Sequence, residues 1–288
     1  MTPEAEGLNP QLSIKPSTPA GQVGAALADL DPDAILPRLQ TRWMGRRYRY
    51  EEVTGSTQDV AKEEALAGAP EGTVVLANAQ TAGRGRLQRS FITQPGQSLA
   101  LSVLLRPAPR HLSPLAMVGA LAVARAIEDT CGLHPALKWP NDVLLGGRKV
   151  AGILLEASSQ GAVIGAAILG IGLNVSLRTD AYPEIAATAT SLAEQLAPAP
   201  APERAALLVA LLQALEDYYE ALRRDRPIYD EWRERLETIG RQVRVHVGST
   251  VEDGVAEGVA ADGALLLRRA DGSLLRLLAG DVTLREWR

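Results

Sequence analysis

Residues 72–91 read "GTVVLANAQTAGRGRLQRSF", and the architecture turns on the join near Gln80. The first nine residues are short and mostly apolar, with a β-branched start, the pattern of a strand buried on both faces. The next eleven hold Gly83, Arg84, Gly85, Arg86 and Arg89, with no aromatic before Phe91. A buried strand feeding directly into such a loop displays its cations at the end of a sheet. Glycines there let backbone N–H groups approach an anion closely, and arginine forks bind phosphate or carboxylate through paired hydrogen bonds. A solvated basic hairpin is the bland alternative. The loop is neither common phosphate motif: no strand, GxGxxG and helix unit is present, no GxxxxGK[ST] occurs, and "GIGLNV" at 170–175 has two glycines rather than three.

Working outward, "TGSTQD" precedes a helix predicted at about 57–68, with Ser56 or Thr57 as N-cap and Gly68 as its end. Before it, "RYRYEEV" (47–53) alternates like a strand, and residues 28–39 suggest a short amphipathic helix with Asp31 as cap and Pro32 in its first turn. After the loop come a strand at 97–106 and an apolar helix at 114–130. "PALKWPNDVLL" then leads through Gly146 and Gly147 into "KVAGILLEAS", a hairpin signal. More strand follows at 161–177. Leu207, Leu208, Leu211, Leu212, Leu215, Tyr218, Tyr219 and Leu222 mark one buried face of a helix at about 203–224, and a second helix is expected at 227–238. Beyond Gly240 the texture changes to short alternating strands with Gly-containing turns, a small β-barrel or sandwich. The expected organisation is a flexible tail at 1–26, an α+β catalytic domain at 27–238 with a mixed sheet flanked by helices, and a small β domain at 239–288.

The chain is acidic on balance, with a formal net charge of −4, so no global basic field invites nucleic acid and any anion site is local. The apolar run 161–173 is too short and Gly-rich to span a membrane. No export signal is visible, and the single Cys131 makes no internal disulfide, which fits a reducing cytoplasm. His111, His134 and His246 lack metal-ligand spacing, and no GxSxG occurs. Chemistry here would rest on positioning and charge rather than on a protein nucleophile. Only four lysines occur, and two of them, Lys138 in "KWPND" and Lys149 at the start of "KVAGILLE", fall beside buried strands. Turn chemistry explains Pro-Asn-Asp equally well, and a lone lysine at a strand start is commonly solvated. Together with the arginine loop, however, these elements point to one anionic ligand.

Taken in order, "GSTQD" (55–59), "AQTAGRGRLQRSF" (79–91), "LKWPNDV" (137–143), "KVAGILLE" (149–156) and "GIGLNV" (170–175) resemble the biotin–protein ligases. Each piece alone is weakly specific, but their order and spacing agree, and the resemblance covers about residues 28–288. It implies a mixed sheet akin to class II aminoacyl-tRNA synthetases followed by an SH3-like β-barrel. It also implies synthesis of biotinyl-5′-adenylate from biotin and ATP with Mg²⁺, then transfer to one lysine of a biotin carboxyl carrier domain. The form expected lacks the N-terminal DNA-binding domain of some members, works in the cytoplasm without DNA or membrane, and pairs as a homodimer in some relatives. A lipoate-type ligase and a non-catalytic biotin-binding module are the alternatives.

Carried over by position, Ser56, Thr57 and Gln58 resemble the ureido-binding segment and Gln80 a further biotin contact. Arg84, Gly85 and Arg86 resemble the loop that closes over biotin and the adenylate phosphate. Lys149 resembles the lysine that reaches the biotin carboxylate and phosphate, and Gly152 would permit close approach. Lys138, Asn141 and Asp142 resemble a nucleotide, metal and acceptor-facing cluster, with Asn141 or Asp142 as the metal candidate and Asp142 as the group that orients the acceptor amine or takes its proton. Trp139 is expected as a wall, Phe91 beside the adenylate, and Asn174 on the adenine side. The catalytic set is thus Arg86, Lys138, Asp142 and Lys149. Gln58 stands where the family usually has Asn, Phe91 where it has Trp, and Leu87-Gln88 where it has an arginine and a glycine, which predicts a stiffer loop.

Overall fold

The computed structural model describes residues 28–86, 89–160, 163–278 and 280–284. The expected tail at 1–26 and the departures at Leu87 and Gln88 lie outside the described residues. Strand β1 (Tyr48–Thr54), helix α1 (Thr57–Leu66) and β2 (Val74–Gln80) make a crossover in which β1 and β2 pair in parallel, Thr54 opposite Gln80. Ser56 caps α1 by accepting from the Gln58 N–H, as its short polar side chain suggests. β3 (Ser98–Leu105), helix α2 (Leu115–Cys131), β4 (Ala136–Lys138), β5 (Asp142–Leu145), β6 (Arg148–Gln160) and β7 (Val163–Asn174) follow. The resulting sheet runs β1-β2-β3-β7-β6-β5-β4, antiparallel after its first pair. It is mixed, as expected. Gly146 and Gly147 both take positive φ in the β5–β6 turn, which is why that turn needs glycine.

Side chains alternate across the sheet, so the two faces separate cleanly. Val74 and Leu76 of β2, Leu101 and Val103 of β3, Leu169 and Ile171 of β7 and Ile153 of β6 point to the main core. That core is closed by α2 and by helix α3 (Arg204–Arg223), whose Leu207, Leu208, Leu211, Leu212 and Leu215 are buried. Gly119 of α2 sits so close to β6 that a Cβ there would lie 3.0 Å from Ile153 Cγ2. The other face carries Val75, Leu104 and Ile168 under Val60 and Ala61 of α1. α1 covers only part of that face, and beside it the sheet lies open.

Residues 28–39 are not one helix but a single α turn, Pro32–Ile35, between 3-10 turns at Ala28–Leu30 and Leu36–Arg38. Pro37 has no N–H to continue the ladder. Helix α4 (Tyr229–Glu234) is likewise shorter than the 227–238 expected.

Strands β8 (Gln242–Val247), β9 (Thr250–Val259), β10 (Leu265–Arg268), β11 (Leu274–Leu277) and β12 (Asp281–Leu284) form a second, antiparallel sheet in the order β11-β10-β9-β8-β12. It is fastened to the first unit by side chains: Trp139 donates through Nε1 to Gly263 O (2.8 Å), and the Tyr229 hydroxyl donates to Val259 O.

One buried carboxylate organises the approach to β1. Glu216 of α3, 2% exposed, accepts from the backbone N–H groups of Arg42 (2.9 Å), Trp43 (2.9 Å) and Met44 (3.0 Å), and from Arg42 Nε. Burial pushes its carboxyl up, but the amides and the guanidinium outweigh that, and the group lies below the usual glutamate value. A carboxyl depressed in the folded state stabilises above its unfolded value of about 4.3, and that stability is lost as pH falls through the folded value. Glu216→Gln is therefore expected to cost about 1.5–3 kcal/mol at neutral pH and to make the acid limb of stability shallower. Urea titrations at neutral and acidic pH measure both, and an unchanged neutral midpoint would show that water satisfies the three amides.

Candidate active site

The open part of the sheet is a trough because its floor residues are small. Asp142, Gly152, Gly172, Ala100 and Ala77 stand opposite one another across five neighbouring strands, and Ser102 stands opposite Gly170 in the next row on that face. A Cβ at Gly172 would fall 2.5–2.7 Å from three ring atoms of Phe91. One at Gly170 would fall 2.7 Å from Gln58 Nε2, and one at Gly152 would fall 2.8 Å from Lys149 Nζ. Missing side chains on β6 and β7 thus make room for three long ones laid across them. The cleft they floor holds about 470 Å³ of empty space, open solvent at its mouth included.

At one end α1 presents its first turn. Ser102 Oγ donates to Thr57 Oγ1 (2.9 Å), the Thr57 N–H donates to Gln80 Oε1 (2.9 Å), and Gln80 Nε2 donates to Thr93 Oγ1 (3.3 Å). Gln58 crosses the floor and donates from Nε2 to Leu154 O (3.2 Å), while its Oε1 is buried with no hydrogen-bond partner. Arg84 enters from the loop and is gripped by Asp59 of α1, NH2 to Oδ1 at 2.7 Å and NH1 to Oδ2 at 2.8 Å. Its Nε is buried and unpartnered.

At the other end sit the remaining charges. Lys149 Nζ lies 2.6 Å from Asp142 Oδ1. Arg86 donates to Asn141 Oδ1 (3.4 Å) and to Gly280 O of the second sheet (3.2 Å), and burial pulls its guanidinium below the usual arginine value against the fields of Asp142 and Asp281. Asn141 is fixed from behind, Nδ2 donating to Ile153 O at 2.6 Å. Arg89 pairs with Asp281.

Of the residues singled out from sequence, Ser56, Thr57, Gln58, Gln80, Arg84, Gly85, Arg86, Phe91, Asn141, Lys149 and Gly152 line this cleft, and Asp142 reaches it through Lys149. Three others do not line it. Trp139 is 1% exposed, part of the core and the joint to the second sheet. Asn174 is 5% exposed and turns its Nδ2 to Thr190 O. Lys138 stands opposite Asp142 on β4, at the end of the same floor row, half-buried and without an ion pair among the described residues. Leu101, Ser102, Leu154, Gly170 and Gly172 also line the cleft and were not singled out, since small and apolar residues leave no chemical signal in a sequence. Asn141 Oδ1 accepts from Arg86 and Asp142 Oδ1 pairs with Lys149, and no cluster of three metal-binding side chains occurs among the described residues. A wider basin of about 660 Å³ lies beside Arg148, Arg178 and Glu194, but its charges pair with one another. No helix among the described residues is long and apolar enough to cross a membrane.

Comparison with known proteins matches this geometry to a class. Residues 50–174 match the Biotin/lipoate A/B protein ligase family, and residues 238–285 match the Biotin protein ligase C terminal domain. The bifunctional ligase/repressor BirA of Bacillus spizizenii is 36% identical over 251 residues, which cover 85% of this chain and 76% of that protein. The biotin–[acetyl-CoA-carboxylase] ligase of Mycobacterium tuberculosis is 35% identical over 271 residues, 88% of this chain and 98% of its own. The biotin protein ligase of Aquifex aeolicus, solved in complex with biotin and ATP, superposes with a TM-score of 0.72 at 28% identity, covering 84% of this chain and 100% of that one. The fold that carries the trough is thus that of a ligase for biotin or lipoate. The chain belongs to the biotin protein ligase family.

Proposed function

We propose that this protein activates biotin with ATP to biotinyl-5′-adenylate and passes the biotinyl group to a lysine of a biotin carboxyl carrier domain. The observation that carries the reading is the pairing of orphaned atoms: Gln58 Oε1 is a buried acceptor without a donor, and Arg84 Nε–H a buried donor without an acceptor, in one cleft. A cyclic urea supplies the complement of each, an N–H and a carbonyl oxygen, and buried polar groups demand such partners. The dithiolane ring of lipoate supplies neither. With the urea at the α1 end, the valeryl chain lies over Gly172 and Gly152, and the carboxylate meets Lys149 and Arg86.

In the first step a carboxylate oxygen forms a bond to the α-phosphorus of ATP, and the bond to pyrophosphate breaks, its electrons leaving with the pyrophosphate. Two anions meet there, and Lys149 and Arg86, already turned into the cleft, offset their repulsion. Lys138, half-buried and unpaired among the described residues, is the further cation that ATP would engage. Magnesium in this reading arrives on the ATP phosphates. In the second step the carrier amine, with an ordinary pKa of about 10.4, attacks the acyl carbon and AMP leaves. Asp142, oriented by Lys149, receives the proton. The cytoplasm is the compartment this reading assigns.

Pyrophosphate exchange into ATP tests the reading directly. Exchange is expected with biotin and not with lipoate at equal concentration. Exchange driven by lipoate, or by neither acid, overturns it.

A further inference from the structure

Resting on that reading of the cleft, we propose that Asp59 is a positioning residue for biotin: it grips the two terminal nitrogens of Arg84 and leaves the Nε–H facing the ureido oxygen. Asp59 belongs to the first turn of α1, which the Ser56 cap holds in place. Its carboxylate meets the far edge of the guanidinium fork through two bonds of 2.7 and 2.8 Å, the bidentate geometry that fixes a plane as well as a distance. The hydrogen bond from Arg84 also holds the Asp59 carboxyl below the usual aspartate value, so it stays ionised through neutral pH.

A partly exposed pair of this kind does little for folding, since the two side chains are 31% and 51% exposed. What it does decide is the direction of Arg84. A second carboxylate competes for the same group: Glu156 Oε2 of β6 lies 3.8 Å from Arg84 NH2. That oxygen is buried without a hydrogen bond, although Lys62 Nζ stands 3.0 Å away. Without Asp59, Arg84 swings to Glu156 and its Nε–H leaves the cleft. Asp59 makes no contact with the carboxylate end, so the effect belongs to biotin and not to ATP.

Biotin titrations in the exchange assay, at saturating ATP, test this with the full chain. Asp59→Asn is expected to raise the KM for biotin about tenfold, the equivalent of one charge-assisted hydrogen bond, with kcat, the KM for ATP and the thermal midpoint unchanged. Asp59→Glu should retain most of the affinity, and adding Glu156→Gln to Asp59→Asn should restore part of it by removing the competitor. The inference fails if Asp59→Asn leaves the biotin KM unchanged, or moves the ATP KM and thermal midpoint along with it. A wild-type chain with no biotin-dependent exchange overturns the parent reading instead, and this inference with it.

Discussion

Lys149→Met is expected to slow biotin-dependent pyrophosphate exchange by about 10²–10³-fold, the usual effect of removing one donor aimed at developing charge. The site amplifies the loss, because Lys149 neutralises Asp142 at 2.6 Å in the empty cleft. Removing the ammonium leaves a bare carboxylate where two more anions must meet, so the variant both loses an attraction and gains a repulsion. The two contributions separate by adding Asp142→Asn. If the exposed carboxylate is half the problem, the double variant exchanges faster than Lys149→Met alone, a non-additivity expected only of groups in contact. Rates measured for the wild type, both single variants and the double variant close the cycle. Purely additive effects would mean that Asp142 and Lys149 act apart, which the geometry does not allow.

Gly172→Val is expected to weaken biotin binding by at least about tenfold while the fold persists. The added Cβ alone would lie 2.5 Å from Phe91 Cζ, closer than any unstrained contact, and the two methyls would rise into the trough where the acyl chain is to lie. Gly172→Ala separates the two causes. Its single methyl displaces Phe91 but leaves most of the trough open, so Phe91→Ala should relieve Gly172→Ala and not Gly172→Val. Calorimetric titration with biotin measures the binding, and the far-UV circular dichroism spectrum reports the fold. A Gly172→Val protein that binds biotin like the wild type would move the ligand off this floor.

The parts of the fold that were readable from sequence share one property: their causes are local. Ser56 announces α1 because a cap acts within its own turn, and Gly146-Gly147 announces the β5–β6 turn because positive φ is a property of the residue itself. The charged members of the cleft were readable only in combination, since a lone lysine at a strand start or a basic hairpin is commonly solvated, while several cationic elements beside buried strands point to one anionic ligand. The unreadable parts depend on distant partners. Glu216 looks like one more polar position on α3, and nothing near it says that its partners are three amides some 170 residues earlier. Asp59 looks like first-turn helix chemistry, and only the folded loop brings Arg84 to it. Trp139 sits in a motif full of chemistry, which points to the nucleotide. In the structure its indole donates to a backbone carbonyl at Gly263, and backbone carbonyls carry no sequence signature.

That indole bond has a bearing on modularity. A five-residue block that supplies a cation, an amide and a carboxylate to one unit also supplies the plug that seats the other, so the two halves of the chain are not freely interchangeable. A chimera that grafts a foreign C-terminal sheet after residue 238 must offer a carbonyl where Gly263 offers one, and a residue at that place which tolerates φ of +87° with the Met117 methyl only 2.8 Å from where its Cβ would stand. Grafts chosen on overall resemblance alone will leave an indole N–H buried and unmatched. Grafts that keep a glycine at that turn should assemble.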